Sequence, residues 1–264
     1  MDKFYREIRM RGLDGSRDVY KYIPLKYLKI LIKDSKLRID KVTTWEDPYE
    51  NFLLKNNFYT DTELYGEVPV SAEEILERTY GQSWTSCEES DAMWRIYSKH
   101  TQNAEEKNIS YLDEVAVRVK IKVDNLFDIV YTVDECMATT SIGEVEYLSD
   151  DKVNEFLDTK ELTTNPNNIK WDTDPINCLY IKRLPFSHEA EVRIIILHDT
   201  EQQKEKFLSY DISDLSVFEE FILDPRLEDD EVTFITNELV QLGVDKGKVA
   251  KSLLYDFTPR RIKI

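Results

Sequence analysis

Turn-forming residues are scarce in this sequence, with seven glycines and eight prolines among 264 residues, and cysteine is scarcer still at three. So few Gly and Pro, without periodic recurrence, exclude a repeat or low-complexity architecture. Cys87, Cys136 and Cys178 are unevenly spaced and form no CxxC pair. They read as reduced thiols of a cytoplasmic protein rather than a disulfide framework. Cysteine and histidine never cluster at ligand spacing, so no zinc site is expected. The opening MDKFYREIRMRG lacks the apolar run of a signal peptide. Nor does any stretch approach the roughly 18–20 apolar residues of a membrane span. Walker loops, GxGxxG, HExxH and GxSxG are all missing, which removes the usual phosphate cradles and several common hydrolases and dehydrogenases.

Positive charge is also short: 35 Lys and Arg face 52 Asp and Glu, a net charge of −17. No extended phosphate-neutralising surface for nucleic acid is expected, although a local basic pocket for a small anion is compatible with this balance. Two readings follow: an acidic surface that serves solubility, or one that captures a basic protein partner. What the chain does contain is core-forming material, 41% hydrophobic and 11% aromatic residues. With no linker in sight, one α+β domain spanning 1–264 is expected, a mixed and mostly antiparallel sheet core with flanking helices.

Periodicity places the elements, about eight strands and five helices. VYKYI (19–23) and KLRIDKV (36–42) alternate as strands, with LKYLKILIKD between them at helical spacing behind Pro24. SAEEILERTYG (71–81) reads as a helix with a Ser71/Glu74 capping box, followed by the strand SWTSC (83–87). SDAMWRIYSKH carries Met93, Trp94 and Tyr97 on a helix whose stripe reads as core. EVAVRVKIKV (114–123) alternates cleanly, and FDIVYTV (127–133) is expected to pair with it as a hairpin neighbour. Residues 146–160 suggest a helix and 163–177 a loop. EVRIIIL is a central strand, KFLSYDI and EEFILDP two more, and DDEVTFITNELVQLG a helix closed by Gly243.

Chemistry concentrates in EAEVRIII. On an extended strand Glu189, Glu191 and Arg193 share one face while Ala190, Val192 and Ile194 take the other. A solvated Glu–Arg pair there contributes little. A buried one, beside so apolar a run, is a preorganised polar site. WEDPYE supplies Trp45 and Tyr49 as flat walls for a base or nicotinamide, around a turn built by Asp47, Pro48 and Glu50. Ser83, Thr85 and Ser86 offer hydroxyls, and Cys87 with His188 is an alternative nucleophile pair. Four carboxylates, Asp47, Glu50, Glu189 and Glu191, also admit a divalent-metal hydrolase or nuclease, although nothing in the spacing fixes them in one cleft.

The segments YKYIPL, LRIDKVTTWEDPYE, SWTSCEESDAMWRIYS, YIKRLPFSHEAEVRI, ILDPRL and KVAKSLLY occur in one order over about residues 19–255. This order resembles a family of bacterial and phage-associated proteins of unknown function. The resemblance marks Tyr20, Lys21, Tyr22, Asp47, Pro48, Tyr49, Glu50, Ser86, Met93, Trp94, Tyr97, Lys182, Glu189, Glu191 and Arg193. The chain departs from the family pattern after Tyr97, where SKHTQNAEEKN intervenes.

More distantly, the order Tyr20-Lys21-Tyr22, Ser83-Trp84-Thr85-Ser86, Glu189-Ala190-Glu191 is similar to that of ADP-ribosyltransferases. That resemblance implies NAD as the cofactor, Glu191 on the nicotinamide ribose hydroxyl opposite an oxocarbenium-like state, and Glu189 orienting the acceptor. It places Arg193 with the catalytic pair and Lys21 near a phosphate. Tyr20, Tyr22, Ser86 and Lys182 join Trp45 and Tyr49 around the cofactor. Lys21 stands where those enzymes carry Arg or His. Three functions stay open: an ADP-ribosyltransferase-like enzyme of a phage-defence system, a non-enzymatic acidic sensor, inhibitor or regulator, and a metal-dependent hydrolase.

Overall fold

The computed structural model of the chain describes residues 3–45, 50, 58–62, 65–70, 73–101, 103, 109–131, 138–159, 177–198, 205–260 and 262. Helix α1 (Lys3–Arg9) precedes strand β1 (Asp18–Pro24), helix α2 (Leu25–Asp34) and strand β2 (Lys36–Lys41). The hairpin β3 (Phe58–Thr62) and β4 (Gly66–Val70) leads to α3 (Glu73–Glu77), β5 (Thr79–Thr85), α4 (Asp91–Tyr97) and α5 (Ile109–Leu112). Then follow β6 (Ala116–Lys122), α6 (Val123–Val130), β7 (Ala138–Glu144), β8 (Glu146–Leu148) and α7 (Asp150–Thr159). The last elements are β9 (Ile181–Arg183), β10 (Glu191–His198), β11 (Phe207–Asp211), β12 (Phe218–Leu223), α8 (Asp229–Gln241) and β13 (Val249–Lys251). The described residues thus hold thirteen strands and eight helices, more than the sequence pattern resolves. The fold is α+β, its strand pairs mostly antiparallel and flanked by helices. Among the described residues, no helix is long and apolar enough to cross a membrane.

Contacts divide the chain into two compact, interleaved units. One comprises Met1–Arg17, Leu37–Ser86 and Val123–Tyr210, the other Asp18–Lys36, Cys87–Lys122 and Asp211–Ile264.

In the first unit β10 lies between β5 and β7, antiparallel to both, so that Arg193 stands opposite Ser83 on one side and Gly143 on the other. A strand with neighbours on both edges and cover on both faces needs apolar residues at every position. EVRIIIL meets that need at five of its seven buried positions, and Glu191 and Arg193 are the exceptions. β2 pairs with the other edge of β5 through Asp40 and Gly81. The face carrying Arg193 and Ile195 is covered by a cluster of Leu148, Val153, Cys178, Leu179, Tyr180 and Ile181, with Trp45 packed against it. β8 and β9 form a separate parallel ribbon in which Tyr147 pairs with Lys182.

In the second unit β1 and β12 flank β6 in antiparallel register, and β13 runs parallel to β12. Helix α2 buries Leu25, Leu28 and Ile32, residues spaced i, i+3, i+7. It ends at Ser35, whose φ of 49° is left-handed and whose N–H bonds the Ile32 carbonyl. Tyr22, Met93, Trp94 and Ala116 form a core in which the Tyr22 and Trp94 rings meet edge to face at 4.7 Å. Gly243, with φ 99°, closes the segment after α8 as its sequence position implies.

Three local expectations are corrected. Residues 127–133 are not a hairpin strand as far as they are described: Val123, Leu126, Phe127 and Val130 are buried along one face of helix α6. Val123 therefore belongs to that helix and not to the strand 114–123. Of the helix expected over 71–81, the described residues show Glu73–Glu77, and Thr79, Tyr80 and Gly81 enter β5 instead. Finally, Glu189 does not lie on the strand with Glu191. It ends the 3₁₀ segment Leu184–Glu189, and Ala190, at φ 43°, turns the chain into β10. Of the expected elements, the helix start at Tyr49, Ser71 of the capping box and the loop over 163–176 lie outside the described residues.

Candidate functional site

The covered face of β10 carries five ionic side chains from separate parts of the first unit: Glu50, Lys182, Glu189, Glu191 and Arg193. All are buried, Arg193 completely (0% exposed) and Glu191 to 5% exposed. A charge so far from water persists only when paired and hydrogen-bonded. Each of these is. The Arg193 guanidinium donates Nε–H to Glu191 at 2.7 Å and Nη1–H to the Leu179 carbonyl at 2.7 Å, and its Nη2 bonds Glu50. The Lys182 ammonium donates to Glu189 at 2.7 Å and Glu191 at 2.6 Å, and stands 3.4 Å from Glu50. Ser83 on β5 donates its hydroxyl to Glu191 at 2.6 Å.

Local sequence explains this convergence. The register of β5 against β10 puts Gly81, Ser83 and Thr85 opposite Ile195, Arg193 and Glu191, all on one face. The missing side chain at Gly81 makes room for Trp45, since a Cβ there would lie 2.6 Å from the indole. Trp45 in turn stacks on Arg193, with the guanidinium carbon 4.5 Å from the ring centre. The Lys182 ammonium nitrogen lies 4.7 Å from the centre of the Phe186 ring, which the 3₁₀ segment after β9 supplies. Ser86 takes no part in the ionic cluster. Its N–H and hydroxyl both donate to the Ala190 carbonyl, at 2.9 and 3.1 Å, and tie down the turn that delivers Glu191.

The electrostatics are asymmetric. Three carboxylates face two cations, so burial and charge compete at every group. Burial pushes the Glu191 carboxyl up. The charge and hydrogen bond of Arg193, hydrogen bonding to Glu189 and the charge of Lys182 outweigh it and hold Glu191 well below the usual carboxylate range. Burial lowers Lys182 and Arg193, but the neighbouring carboxylates more than restore them, and both stay charged. Glu189 moves the other way: burial, then its hydrogen bond to Glu191, raise its pKa against the pull of Lys182. The result is an ionised Glu191 beside a Glu189 whose carboxyl keeps its proton to higher pH than usual.

Other predicted site residues stand elsewhere. Tyr20, Lys21 and Tyr22 are on β1, in the second unit. There the Arg118 guanidinium carbon lies 5.0 Å from the Tyr20 ring centre, and Tyr22 accepts the Ser90 N–H at 3.3 Å with its own pKa pushed up to about 12 by burial. Lys21 is half-buried. Met93 and Trp94 are buried against Tyr22 and belong to the core, as their stripe suggests, but Tyr97, the third member of that stripe, is 40% exposed. Asp47, Pro48 and Tyr49 lie outside the described residues. Cys87 bonds the Glu89 carbonyl and His188 the Pro185 carbonyl. Among the described residues, no group of His, Cys, Asp or Glu comes together as a metal-ligating set. The three carboxylates instead converge on ammonium and guanidinium.

Sequence reasoning overlooked Tyr147, whose hydroxyl accepts the Glu191 backbone N–H at 2.8 Å. Glu50, expected to build a turn, pairs with Arg193 in the cluster, and alternation along β5 puts Ser83, and not Ser86, on the face of Gly81 and Thr85.

No family model matches the chain. No curated protein matches it either. Among solved structures the chain is similar to Thermus sp. 2.9 DarT in complex with NAD+, at a TM-score of 0.37 and 10% sequence identity, over 90% of this chain and 96% of that one.

Proposed function

We propose that this chain binds NAD through Glu191 and acts as an ADP-ribosyltransferase-like enzyme. One observation carries the reading: a carboxylate held ionised at the head of a buried strand and tied to a serine of the neighbouring strand. The Ser-x-x-Ser and Glu-x-Glu segments to which these residues belong recur in the order that the ADP-ribosyltransferase resemblance requires.

The residues fit the cofactor chemically. A carboxylate has about four acceptor sites. On Glu191, Lys182, Ser83 and Arg193 take three of these, and a ribose hydroxyl would compete with Glu189 for the remaining one. Bound NAD would supply the glycosidic bond whose cleavage releases nicotinamide and transfers ADP-ribose to a nucleophile. Glu191 contributes a negative charge that needs no rearrangement to face a developing positive one. Arg193 and Lys182 keep that charge in place and touch no reacting atom. Burial raises the Glu189 pKa beside the same carboxylate. Trp45 lies with one face on Arg193 and helps hold the guanidinium in place.

The test is calorimetric titration of the full chain with NAD, beside Glu191→Gln. Saturable binding that weakens at least tenfold in the variant, about 1.4 kcal/mol, supports the reading. Equal binding by both proteins removes Glu191 from it.

A second reading has its own observation: every member of the cluster is buried and paired, as a structural fastening would be. In that case Glu191→Gln lowers stability and leaves no NAD signal to lose. The chain would then be sought as an acidic sensor or inhibitor of a protein partner, with Glu88, Glu89 and Asp91 as the first charges to reverse.

A further inference from the structure

Glu191 is held at two points, and one of them is its backbone. It is the first residue of β10, directly after the left-handed Ala190, so its N–H enters the strand where the chain has just turned. That N–H donates to the Tyr147 hydroxyl at 2.8 Å, while the Glu191 carbonyl accepts from the Val145 N–H at 2.9 Å. The carboxylate is gripped separately by Lys182. Tyr147 and Lys182 are direct partners in the parallel ribbon of β8 and β9, so their side chains leave the same face of that ribbon. One two-stranded element therefore sets both where the Glu191 backbone lies and where its carboxylate points.

From this we infer that Tyr147 is a positioning residue for Glu191. Its hydroxyl fixes the strand entry from which the carboxylate is presented, and the β8–β9 ribbon is the element through which ligand affinity is tuned. The chemistry suits the task. Burial raises the Tyr147 pKa to about 12, so the hydroxyl stays neutral and remains an acceptor for the N–H throughout the physiological range. A phenylalanine has the same ring and no acceptor, and would leave a part-buried backbone donor unpaired, a loss larger than that of the bond alone. The part of the inference that concerns affinity rests on the reading of Glu191 as the NAD carboxylate. The positional part does not.

The experiment takes the full chain with Tyr147→Phe and Glu191→Gln. Amide hydrogen exchange is followed by NMR along 191–197, and NAD affinity is measured by calorimetry. Expected for Tyr147→Phe is exchange at Glu191 at least tenfold faster with Val192 to Leu197 protected as in the parent, and NAD binding weakened roughly fivefold to thirtyfold. Unchanged exchange at Glu191 overturns the inference. So does a uniform acceleration along the whole strand, because that marks a packing role only. Faster exchange at Glu191 with NAD affinity intact, while Glu191→Gln loses it, overturns the link from position to binding. If Glu191→Gln itself binds NAD as the parent does, the proposed function fails, and selective exchange at Glu191 still supports the positional assignment.

Discussion

Replacing Arg193 with methionine tests the ionic cluster at its most buried member. Methionine keeps most of the volume of the stem, so the change removes charge and donors without opening a large cavity. Arg193 is fully buried and serves Glu191, Glu50 and the Leu179 carbonyl. Without it three carboxylates face Lys182 alone. Removing one partner of a buried pair costs about 3–5 kcal/mol, chiefly because the remaining charge is stranded. Whole domains hold only about 5–15 kcal/mol of stability, so the loss is a large share of the total. With an m-value near 3 kcal/mol/M, the urea midpoint at pH 7 should fall by about 1–2 M.

The sign of the pH dependence is fixed as well. Glu191 has a depressed folded pKa, so its contribution is present above the ordinary carboxylate range and lost as pH falls through the folded value. The variant lacks the main source of that depression, and its deficit should shrink in acid. Tryptophan fluorescence against urea at pH 7 and pH 4 reads both effects. A midpoint within about 0.3 M of the parent at pH 7, against the 1–2 M expected from a stranded charge, would refute the reasoning. It would mean that the cluster is hydrated or that its charges rearrange freely.

Other expectations can be checked with the same assay. Glu189 has a raised folded pKa, so its contribution is present in acid and lost as pH rises through that value; Glu189→Gln should therefore gain on the parent between pH 4 and pH 7, and a gap that fails to widen contradicts the assignment. Gly81→Ala drives a Cβ into the Trp45 indole at 2.6 Å and against Ile195 at 3.1 Å. Overpacking of this kind costs about 1–3 kcal/mol, and a neutral result would show that Trp45 is not pinned on Arg193. In the second unit Asp224 is fully buried and accepts from Ser98 and Arg226. Asp224→Ala should cost about 3–5 kcal/mol, most of it the stranded guanidinium, and wild-type stability would refute that.

Much of this fold is written in local pattern. Alternation locates β1, β2 and β6, and the apolar run IIIL that ends EVRIIIL marks a strand covered on both sides. The pattern fails where two periods compete. FDIV carries β-branched and aromatic residues that favour a strand, yet with Val123 and Leu126 it completes an i, i+3, i+4, i+7 face, and burial follows the helix. Glu189 shows the limit of parity arguments: counting by twos puts it beside Glu191, but the left-handed Ala190 breaks the strand between them. Its carboxylate reaches the cluster by way of Lys182 instead.

Of the site, Lys182, Glu189, Glu191 and Arg193 are legible because they crowd into a dozen residues, and a buried strand makes their charges conspicuous. Glu50, Ser83 and Tyr147 reach Arg193, the Glu191 carboxylate and the Glu191 backbone N–H across separations of 143, 108 and 44 residues. Those contacts depend on strand register and on how the ribbon pairs, which no local window contains.

The central claim is that the Glu191 carboxylate engages NAD, and the most direct measurement is calorimetric titration of the parent and of Glu191→Gln, with urea unfolding of both. The account predicts saturable binding by the parent and at least a tenfold loss in the variant, about 1.4 kcal/mol, while the variant stays folded. A parent that takes up no NAD, or a folded variant that binds it equally well, would contradict the claim.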